Sequence, residues 1–359
     1  MKFYMPVKIY DEPDCVRQHA AELAAFGKKA LIVTGRHSAE KCGALADVTD
    51  ALMNQGVQTC HFNKVEENPS TETIAEGARF GLDEQADFVI GIGGGSPLDA
   101  AKAIAFLMKL RDPSPARLYD PSLPSEALDV IAIPTTCGTG SEVTGVSVLT
   151  VHEKQTKASI PQRIFPRLAL LDGRYLKAAP QALILSTAVD ALAHMYESYE
   201  SAKADVYNQA VIHAGLRLWR DCLPVLTGAR EADTEDYSRL LRASTFAGMA
   251  IAQTGTALPH ALSYILTYDL GMPHGLAAGR FLPGFLMEAP VGDRELLLNE
   301  AGFSDMDAFT AFLAPALAPW EVKSETLERA FACVAGNEAR MKACRFAVDP
   351  DGLRRICGL

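Results

Sequence analysis

One stretch decides the fold class of this chain: Asp87-Phe-Val-Ile-Gly-Ile-Gly-Gly-Gly-Ser-Pro-Leu-Asp-Ala-Ala-Lys102. It opens as an apolar run typical of a buried strand, passes through three consecutive glycines and continues as a helical pattern. Ser96 is a favourable N-cap, Pro97 suits the first helical position, and Asp99 stands where a capping box has its acid. Because glycines allow close approach and a helix N-terminus attracts anions, the stretch predicts a site for a pyrophosphate.

A glycine-rich turn has a simpler explanation as well, in which the glycines only relieve crowding between a strand and a helix. The agreement of glycines, cap and acid favours nucleotide binding over this alternative. The stretch is not the G-x-G-x-x-G fingerprint, and it follows the third predicted strand instead of the first.

Strands and helices alternate on both sides of this stretch, as in a parallel sheet with crossover helices. The pattern predicts one helix from Ser38 to Gln55 and another from Thr71 to Gln85. A small hairpin is predicted from Val146–Thr150 and the segment around Lys157. The other predicted sheet strands are Lys29–Thr34, Val57–Phe62, Asp129–Pro134 and Leu168–Asp172.

After Pro180 the chain consists of Ala- and Leu-rich segments at helical spacing, and no segment there is typical of a strand. We therefore predict two domains. An α/β dinucleotide-binding domain covers residues 1–180, and an all-α metal-binding and substrate domain covers residues 181–359. A length of 359 residues favours two domains over one.

Composition narrows the functional classes. The formal net charge of −10 argues against a nucleic-acid partner, which requires clustered Lys and Arg. We expect no membrane segment, because no window has the roughly 18 apolar residues that a membrane helix needs, and the N-terminal sequence lacks signal-peptide features. The eight cysteines are scattered without a Cys-x-x-Cys pair, which predicts reduced thiols and a cytoplasmic location.

A metal site is predicted in the helical half. Asp190 and His194 are four residues apart among good helix formers, so their side chains share one helical face. His260 and His274 follow downstream, and one carboxylate with three imidazoles suits Fe²⁺ or Zn²⁺. A single histidine in an apolar helix is more often a hydrogen-bonded core residue than a ligand. The pairing of Asp190 with His194 gives the metal hypothesis more support than a single histidine would, and the glycine-rich stretch upstream adds to it.

Hydroxyl groups and glycines also follow the strand that ends at Pro134, in the loop Thr135-Thr-Cys-Gly-Thr-Gly-Ser-Glu142. The C-terminal ends of parallel strands are where open α/β sheets bind ligands. An ordinary polar loop is the alternative, and we favour a ligand site.

These motifs resemble, in order and spacing, the iron-containing (group III) alcohol dehydrogenases over roughly residues 5–290. The resemblance implies the dehydroquinate synthase-like fold, with an α/β dinucleotide-binding domain, a helical C-terminal domain and catalysis in the cleft between them. It implies a homodimer that transfers a hydride between a nicotinamide cofactor and a small alcohol or aldehyde. The residues that carry it are Gly93–Lys102, Pro134–Glu142, Asp190, His194, His260 and Pro273–Gly275.

The resemblance also assigns roles to single residues. Catalysis would proceed through a metal held by Asp190, His194, His260 and His274. Gly94, Gly95 and Ser96 would hold the pyrophosphate, and Asp99 would lie near the nicotinamide. The other implied cofactor contacts are Thr135, Thr136 and Thr139, with Asn68 and Lys157 on the flanks.

Two positions differ from what is common in this family. NAD-preferring members tend to have an aspartate after the first strand, whereas this chain has Thr34-Gly35-Arg36-His37-Ser38. We expect this turn, with Gly35, Arg36 and Ser38, to accept a ribose 2′-phosphate, so NADP(H) should be preferred over NAD(H). Many members have a relay histidine four residues after the third ligand, where this chain has Tyr264, and we expect Tyr264 to pack on the pocket wall.

Other functions of the same fold are alternatives, namely those of glycerol dehydrogenase, maleylacetate reductase and dehydroquinate synthase. The complete Asp/His set argues against maleylacetate reductase, and the few basic residues near it argue against a phosphorylated substrate. A non-catalytic nucleotide or metal sensor is the alternative from another class. Leu258, Met249 and Phe246 are expected to line a pocket for a short aliphatic alcohol, diol or aldehyde.

Overall fold

A parallel sheet and a separate hairpin contain the strands of this protein. The computed structural model describes residues 3–359, apart from the side chain of Lys154. The strands in this range are β1 Lys8–Asp11, β2 Lys29–Gly35, β3 Gln58–Val65, β4 Phe88–Gly93, β5 Val130–Pro134, β6 Val148–Val151, β7 Thr156–Ser159 and β8 Leu168–Leu171. Six of these described strands form a parallel sheet in the order β1-β8-β5-β4-β2-β3, and β6 pairs antiparallel with β7.

Alternate residues of the central strands lie on opposite faces of the sheet. Leu31 and Val33 of β2 pack in one apolar cluster, whereas Ala30 and Ile32 pack in a second. This is the period of two that a strand imposes, and burial of both faces is typical of parallel sheets. The carboxyl ends of β2, β4 and β5 therefore meet at one edge of the sheet.

The helices of the first half connect these strands. They are α1 Cys15–Gln18, α2 Ala20–Ala24, α3 Ser38–Lys41, α4 Ala44–Asn54, α5 Thr71–Asp83 and α6 Gly95–Leu110. The single helix predicted from Ser38 to Gln55 is wrong, because the chain breaks it between α3 and α4. The break lies at Gly43, whose φ of +85° is readily adopted only by glycine. The edge strand β1 was not predicted, since it is short and only partly buried.

The second half is helical, as predicted. Its helices are α7 Gln181–Tyr199, α8 Val206–Asp221, α9 Leu223–Leu226, α10 Thr234–Thr254, α11 Leu258–Leu270, α12 His274–Gly279, α13 Leu282–Glu288, α14 Val291–Ala301, α15 Met306–Leu317, α16 Ser324–Ala335, α17 Glu338–Met341 and α18 Pro350–Cys357. Helix α7 is almost completely buried from residue 188 onward and packs against α8, α10 and α12. A helix buried on all sides lies in a core, so its polar residues need internal partners.

The chain divides into two compact units. One consists of Met5–Thr136 with Gly140–Ala179, and the other includes Cys137–Thr139 and Pro180–Leu359. The order predicted from sequence, a sheet-bearing half followed by a helical half, is confirmed. Within residues 3–359, no helix has both the length and the apolar character that a membrane crossing requires.

Candidate functional site

Helix α7 places a row of buried polar side chains on one face. Asp190, His194 and Glu197 follow each other at spacings of four and three residues, so they lie in one stripe along the helix. The exposed fractions of these residues are 2%, 4% and 0%. Buried groups of this kind require partners, and the next two helices supply them.

The N-terminus of helix α11 places His260 beside this stripe. Ala257 is the N-cap and His260 is the third residue of the helix, so both backbone N–H groups lack partners within α11. Both donate to the carboxylate of Glu197, and the bond from His260 N is 3.2 Å long. The imidazole Nδ1 of His260 also donates to Glu197. Glu197 thus caps α11 and orients His260 at the same time.

His274 begins helix α12, directly after Pro273. The next residue, Gly275, lies so close to α7 that a Cβ atom there would overlap the carbonyl oxygen of Ser186 and lie 2.9 Å from the Cβ of Asp190. Only glycine permits this approach. The absence of a side chain at Gly275 therefore allows His274 to reach Asp190.

Three predicted ligands converge in the structure. Nε2 of His260 lies 3.2 Å from Oδ1 of Asp190, and Nε2 of His274 lies 3.9 Å from the same oxygen. One donor atom from each of the three residues lies within 4.8 Å of the other two. His194 lies beside this group, with its ring stacked on that of His260 at a centroid distance of 4.3 Å. Its Nδ1 lies 3.3 Å from the carbonyl oxygen of Gly138.

The charges in this group are strongly coupled. Burial raises the pKa of Asp190, but the neighbouring imidazoles, His194 foremost, outweigh it and hold that pKa far below its usual range. Burial lowers the pKa of His194 to about 4, so this imidazole is neutral near pH 7 and donates Nδ1–H to Gly138. Burial also opposes a charge on His260, yet Glu197 and Asp190 prevail and raise its pKa to about 10.

This arrangement fits a divalent transition metal. An anionic carboxylate and imidazole nitrogens are the ligands that Fe²⁺ and Zn²⁺ accept. The Nδ1–H groups of His194 and His260 are held by Gly138 and Glu197, so Nε2 of each ring is the nitrogen that remains available to a metal. A metal-binding histidine almost always donates its other N–H to a carboxylate or carbonyl in this way.

Several of the predicted cofactor residues of the α/β unit lie at the start of α6 or contact it. Gly93 has a φ of +148°, and a Cβ atom there would lie 2.6 Å from the ring of Pro97. The helix begins at Gly95 with Gly94 as its N-cap, so the expected N-cap at Ser96 is wrong. The Ser96 hydroxyl instead accepts a 3.0 Å hydrogen bond from the backbone N–H of Asn68.

Asp99 does not complete a capping box either. Its carboxylate accepts hydrogen bonds from the hydroxyl of Ser141 at 2.6 Å and from the N–H of Val148 at 2.8 Å. These partners lie more than 40 residues downstream, and the Asp99 carboxylate bonds to them instead of to the N-terminus of its own helix. Both carboxylate oxygens of Asp99 are therefore occupied by the protein itself.

Asn68 and Lys157, which are predicted to flank the cofactor, contact each other. The Lys157 ammonium donates to Oδ1 of Asn68 at 2.8 Å, and Asn68 adopts a left-handed conformation with φ of +59°. Thr135 and Thr136 follow β5 in the α/β unit, and a Cβ atom at Gly94 would lie 3.0 Å from Oγ1 of Thr136. Thr139 belongs to the helical unit instead.

The predicted adenosine contacts follow β2. Gly35 ends that strand, and Arg36 and Ser38 are exposed. The buried Thr34 hydroxyl donates to the carbonyl of Gly35 at 2.7 Å and lies 2.8 Å from Nε2 of His61. None of the residues from 34 to 38 has an acidic side chain.

Sequence reasoning missed Glu197 and Lys102. Glu197 has a detectable signal, because it continues the helical stripe of Asp190 and His194. Lys102 is completely buried, and in the sequence it resembles any lysine of an amphipathic helix. Tyr264 lies beside the predicted site, with its ring nearly parallel to that of His274 at 5.9 Å.

Comparisons with known proteins point to one family. Residues 6–173 match the family model of the iron-containing alcohol dehydrogenases, and residues 184–290 match its C-terminal model. The long-chain primary alcohol dehydrogenase AdhA of Thermoanaerobacter ethanolicus is 34% identical over 70% of this chain and 64% of its own length. Lactaldehyde reductase of Escherichia coli is 31% identical over 71% of this chain and 67% of its own length.

A solved structure supports the same relationship over the whole chain. The crystal structure of an iron-containing alcohol dehydrogenase from Thermotoga maritima is 34% identical, with a TM-score of 0.89 over 100% of this chain and 99% of that one. The predicted fold class is thereby confirmed. The chain belongs to the iron-containing alcohol dehydrogenase family.

Proposed function

We propose that this protein is a metal-dependent oxidoreductase that transfers a hydride between NADP(H) and a small alcohol or aldehyde. The observation that carries the proposal is the convergence of donor atoms from Asp190, His260 and His274 within 4.8 Å. Family membership and the names of the relatives, which act on alcohols and an aldehyde, support the reaction class. We further propose Fe²⁺ as the metal, with Zn²⁺ as a substitute, in a cytoplasmic homodimer.

The residues of this chain would hold the metal through Asp190, His194, His260 and His274. When bound, such an ion supplies Lewis-acid polarisation of a substrate oxygen, and a nicotinamide dinucleotide supplies or accepts the hydride. Asp190 contributes a full negative charge, because its carboxyl stays ionised across the physiological pH range. Glu197 keeps Nε2 of His260 directed at Asp190.

The cofactor preference rests on the turn after β2. Arg36 and Ser38 are exposed there, and both can donate to a phosphate. An aspartate at this point would bind the ribose 2′-hydroxyl and repel a 2′-phosphate. We therefore infer that NADPH is used more efficiently than NADH.

The substrate class is a short alcohol, diol or aldehyde. Of the apolar residues expected to line the pocket, Leu258 is fully buried in the core of the C-terminal helices, which leaves Met249 and Phe246 as candidates. Tyr264 replaces a relay histidine, and its ring contact with His274 supports a packing role.

Metal-dependent aldehyde reduction tests the proposal. The protein would be purified without oxygen, stripped of metal and reconstituted separately with Fe²⁺ or Zn²⁺, and a panel of small aldehydes would be assayed with NADPH and NADH. We expect activity to return with metal and to be absent from His260→Ala. His213→Ala is the control, since His213 is hydrogen-bonded to Glu300 outside the predicted ligand set.

Each result bears on a separate part of the proposal. Activity that survives complete metal removal would refute the metal assignment. A higher kcat/KM with NADH would refute the NADP(H) preference alone. Tight dinucleotide binding without turnover of any alcohol or aldehyde would favour a sensor over an enzyme.

A further inference from the structure

Lys102 is a fully buried cation in the α/β unit. Its ammonium donates to the hydroxyl of Ser141 at 2.6 Å, to the carbonyl of Val146 at 2.8 Å and to the hydroxyl of Thr144 at 3.3 Å. A buried ammonium is tolerated only where such partners replace water. All three partners lie in one segment of chain, from residue 141 to residue 146.

Asp99 holds the same segment from the preceding turn of α6. The Ser141 hydroxyl accepts from Lys102 and donates to Asp99, so it links the two charges, which lie 3.5 Å apart. Val148 donates its N–H to the other carboxylate oxygen of Asp99, and the Ser147 hydroxyl donates to the Asp99 carbonyl at 2.8 Å. Two turns of α6 are therefore joined to both ends of the segment Ser141–Val148.

This segment leads directly into the hairpin that carries Lys157. Val148 begins β6, and Thr150 of β6 is paired with Lys157 of β7. Lys157 bonds to Asn68, whose N–H donates to Ser96 in the first turn of α6. The connections thus start and end in the first turns of α6, beside the N-terminus where the pyrophosphate is proposed to bind.

We infer that Asp99 and Lys102 are positioning residues for the dinucleotide, an inference that rests on the proposed function. They act by holding the segment Ser141–Val148 and the attached hairpin against the first turns of α6. The Lys102 ammonium is fully buried, so it acts only through this segment, and each carboxylate oxygen of Asp99 accepts a hydrogen bond from the same segment. A buried charge pair is weak evidence for added stability. We therefore assign the Asp99–Lys102 pair the role of fixing one conformation of the segment Ser141–Val148.

Lys102→Met and Ser141→Ala test this inference in the metal-loaded enzyme. Lys102→Met removes the charge, and Ser141→Ala removes only the hydroxyl that links the charges, so the second variant remains informative if the first does not fold. Lys109→Met is the matched control, because Lys109 lies on the same helix but is exposed. The dissociation constant of NADPH would be measured by nicotinamide fluorescence, together with KM, kcat, metal affinity and urea unfolding.

We expect both variants to raise the dissociation constant and the KM of NADPH about tenfold, because a less fixed segment must be ordered when the dinucleotide binds; tenfold corresponds to about 1.4 kcal/mol of binding free energy. Metal affinity should stay unchanged, as should all properties of Lys109→Met. Weaker unfolding stability with unchanged NADPH binding would overturn the inference, and so would an equal loss of metal affinity. If the unaltered protein bound neither NADPH nor NADH, the proposed function would fail and this inference with it.

Discussion

Glu197→Gln is the substitution that tests the candidate metal site most sharply. The Glu197 carboxylate is fully buried and accepts three N–H groups, from Ala257 N, His260 N and His260 Nδ1. A glutamine has the same shape, but only its oxygen accepts hydrogen bonds. Its NH₂ group must face at least one of the three donors, which leaves a buried polar group unsatisfied.

Two magnitudes follow from this geometry. Leaving one buried donor unsatisfied lowers the free energy of unfolding by about 1–3 kcal/mol. Loss of a carboxylate that orients a metal-binding histidine weakens metal binding about 10- to 100-fold, which corresponds to about 1.4–2.7 kcal/mol.

A competing effect acts in the opposite direction. In the metal-free protein Glu197 helps raise the pKa of His260 to about 10, so metal binding near pH 7 must displace a proton. Glu197→Gln would also lower the pKa of His260, so the metal would displace that proton more easily. A divalent ion carries twice the charge of the proton, and the net result should still be weaker metal binding.

Chelator competition with Zn²⁺ and Fe²⁺ measures this affinity directly. Glu200→Gln is the matched control, because Glu200 is equally buried at the end of α7 but bonds to Arg345 at 2.9 Å. We expect the control to lose stability while its metal affinity is unchanged. If Glu197→Gln bound metal as tightly as the unaltered protein, the orienting role of Glu197 would be refuted.

Three further predictions concern other parts of the chain. Gly275→Ala should abolish metal binding in chelator competition, because its Cβ atom would push α12 away from α7. The control Gly292→Ala should bind metal normally, because a Cβ atom there meets no atom within 4 Å. Arg36→Asp should shift the ratio of the kcat/KM values for NADPH and NADH toward NADH by about tenfold or more, because it replaces an attraction for the 2′-phosphate with a repulsion. An unchanged ratio would contradict the assignment of Arg36 to the 2′-phosphate site. Arg230 holds the pKa of Asp236 at about 2, below the ordinary 3.8, so the stability from this carboxylate is present above about pH 4 and is lost as the pH falls through about 2. Asp236→Asn should therefore lower the free energy of unfolding at pH 7 by about 2 kcal/mol and change it little at pH 2, as measured by urea denaturation.

Local patterns predicted much of the fold and part of the site. The apolar run before Gly93, the helical spacing after Pro180, and the four-residue interval between Asp190 and His194 are all properties of neighbouring residues. Such properties act through backbone geometry, so they can be read before any tertiary contact is known. His260 and His274 were candidates by residue type alone, and the resemblance to a family then assigned them to the same site as Asp190 and His194, which spacing alone does not do.

Local rules failed where a distant group competed for the same atoms. Ser96 and Asp99 have the residue types of a capping box, yet Asn68 and Ser141 take their hydrogen bonds in the folded chain. The break at Gly43 has a different, local cause, because a single glycine in a helical pattern does not by itself predict a left-handed conformation.

By itself, the sequence determined the strand-turn-helix order of the α/β unit, the helical second half and the residue types of the candidate metal site. Only the tertiary structure decided that Glu197 caps α11 by contacting His260, 63 residues away in the sequence. The same is true of the close approach at Gly275 that lets His274 reach Asp190, and of the burial of Lys102. The physical reason is that hydrogen-bond satisfaction and close packing depend on which distant groups meet after the chain has folded. Helical and strand periodicity depend only on neighbours along the chain.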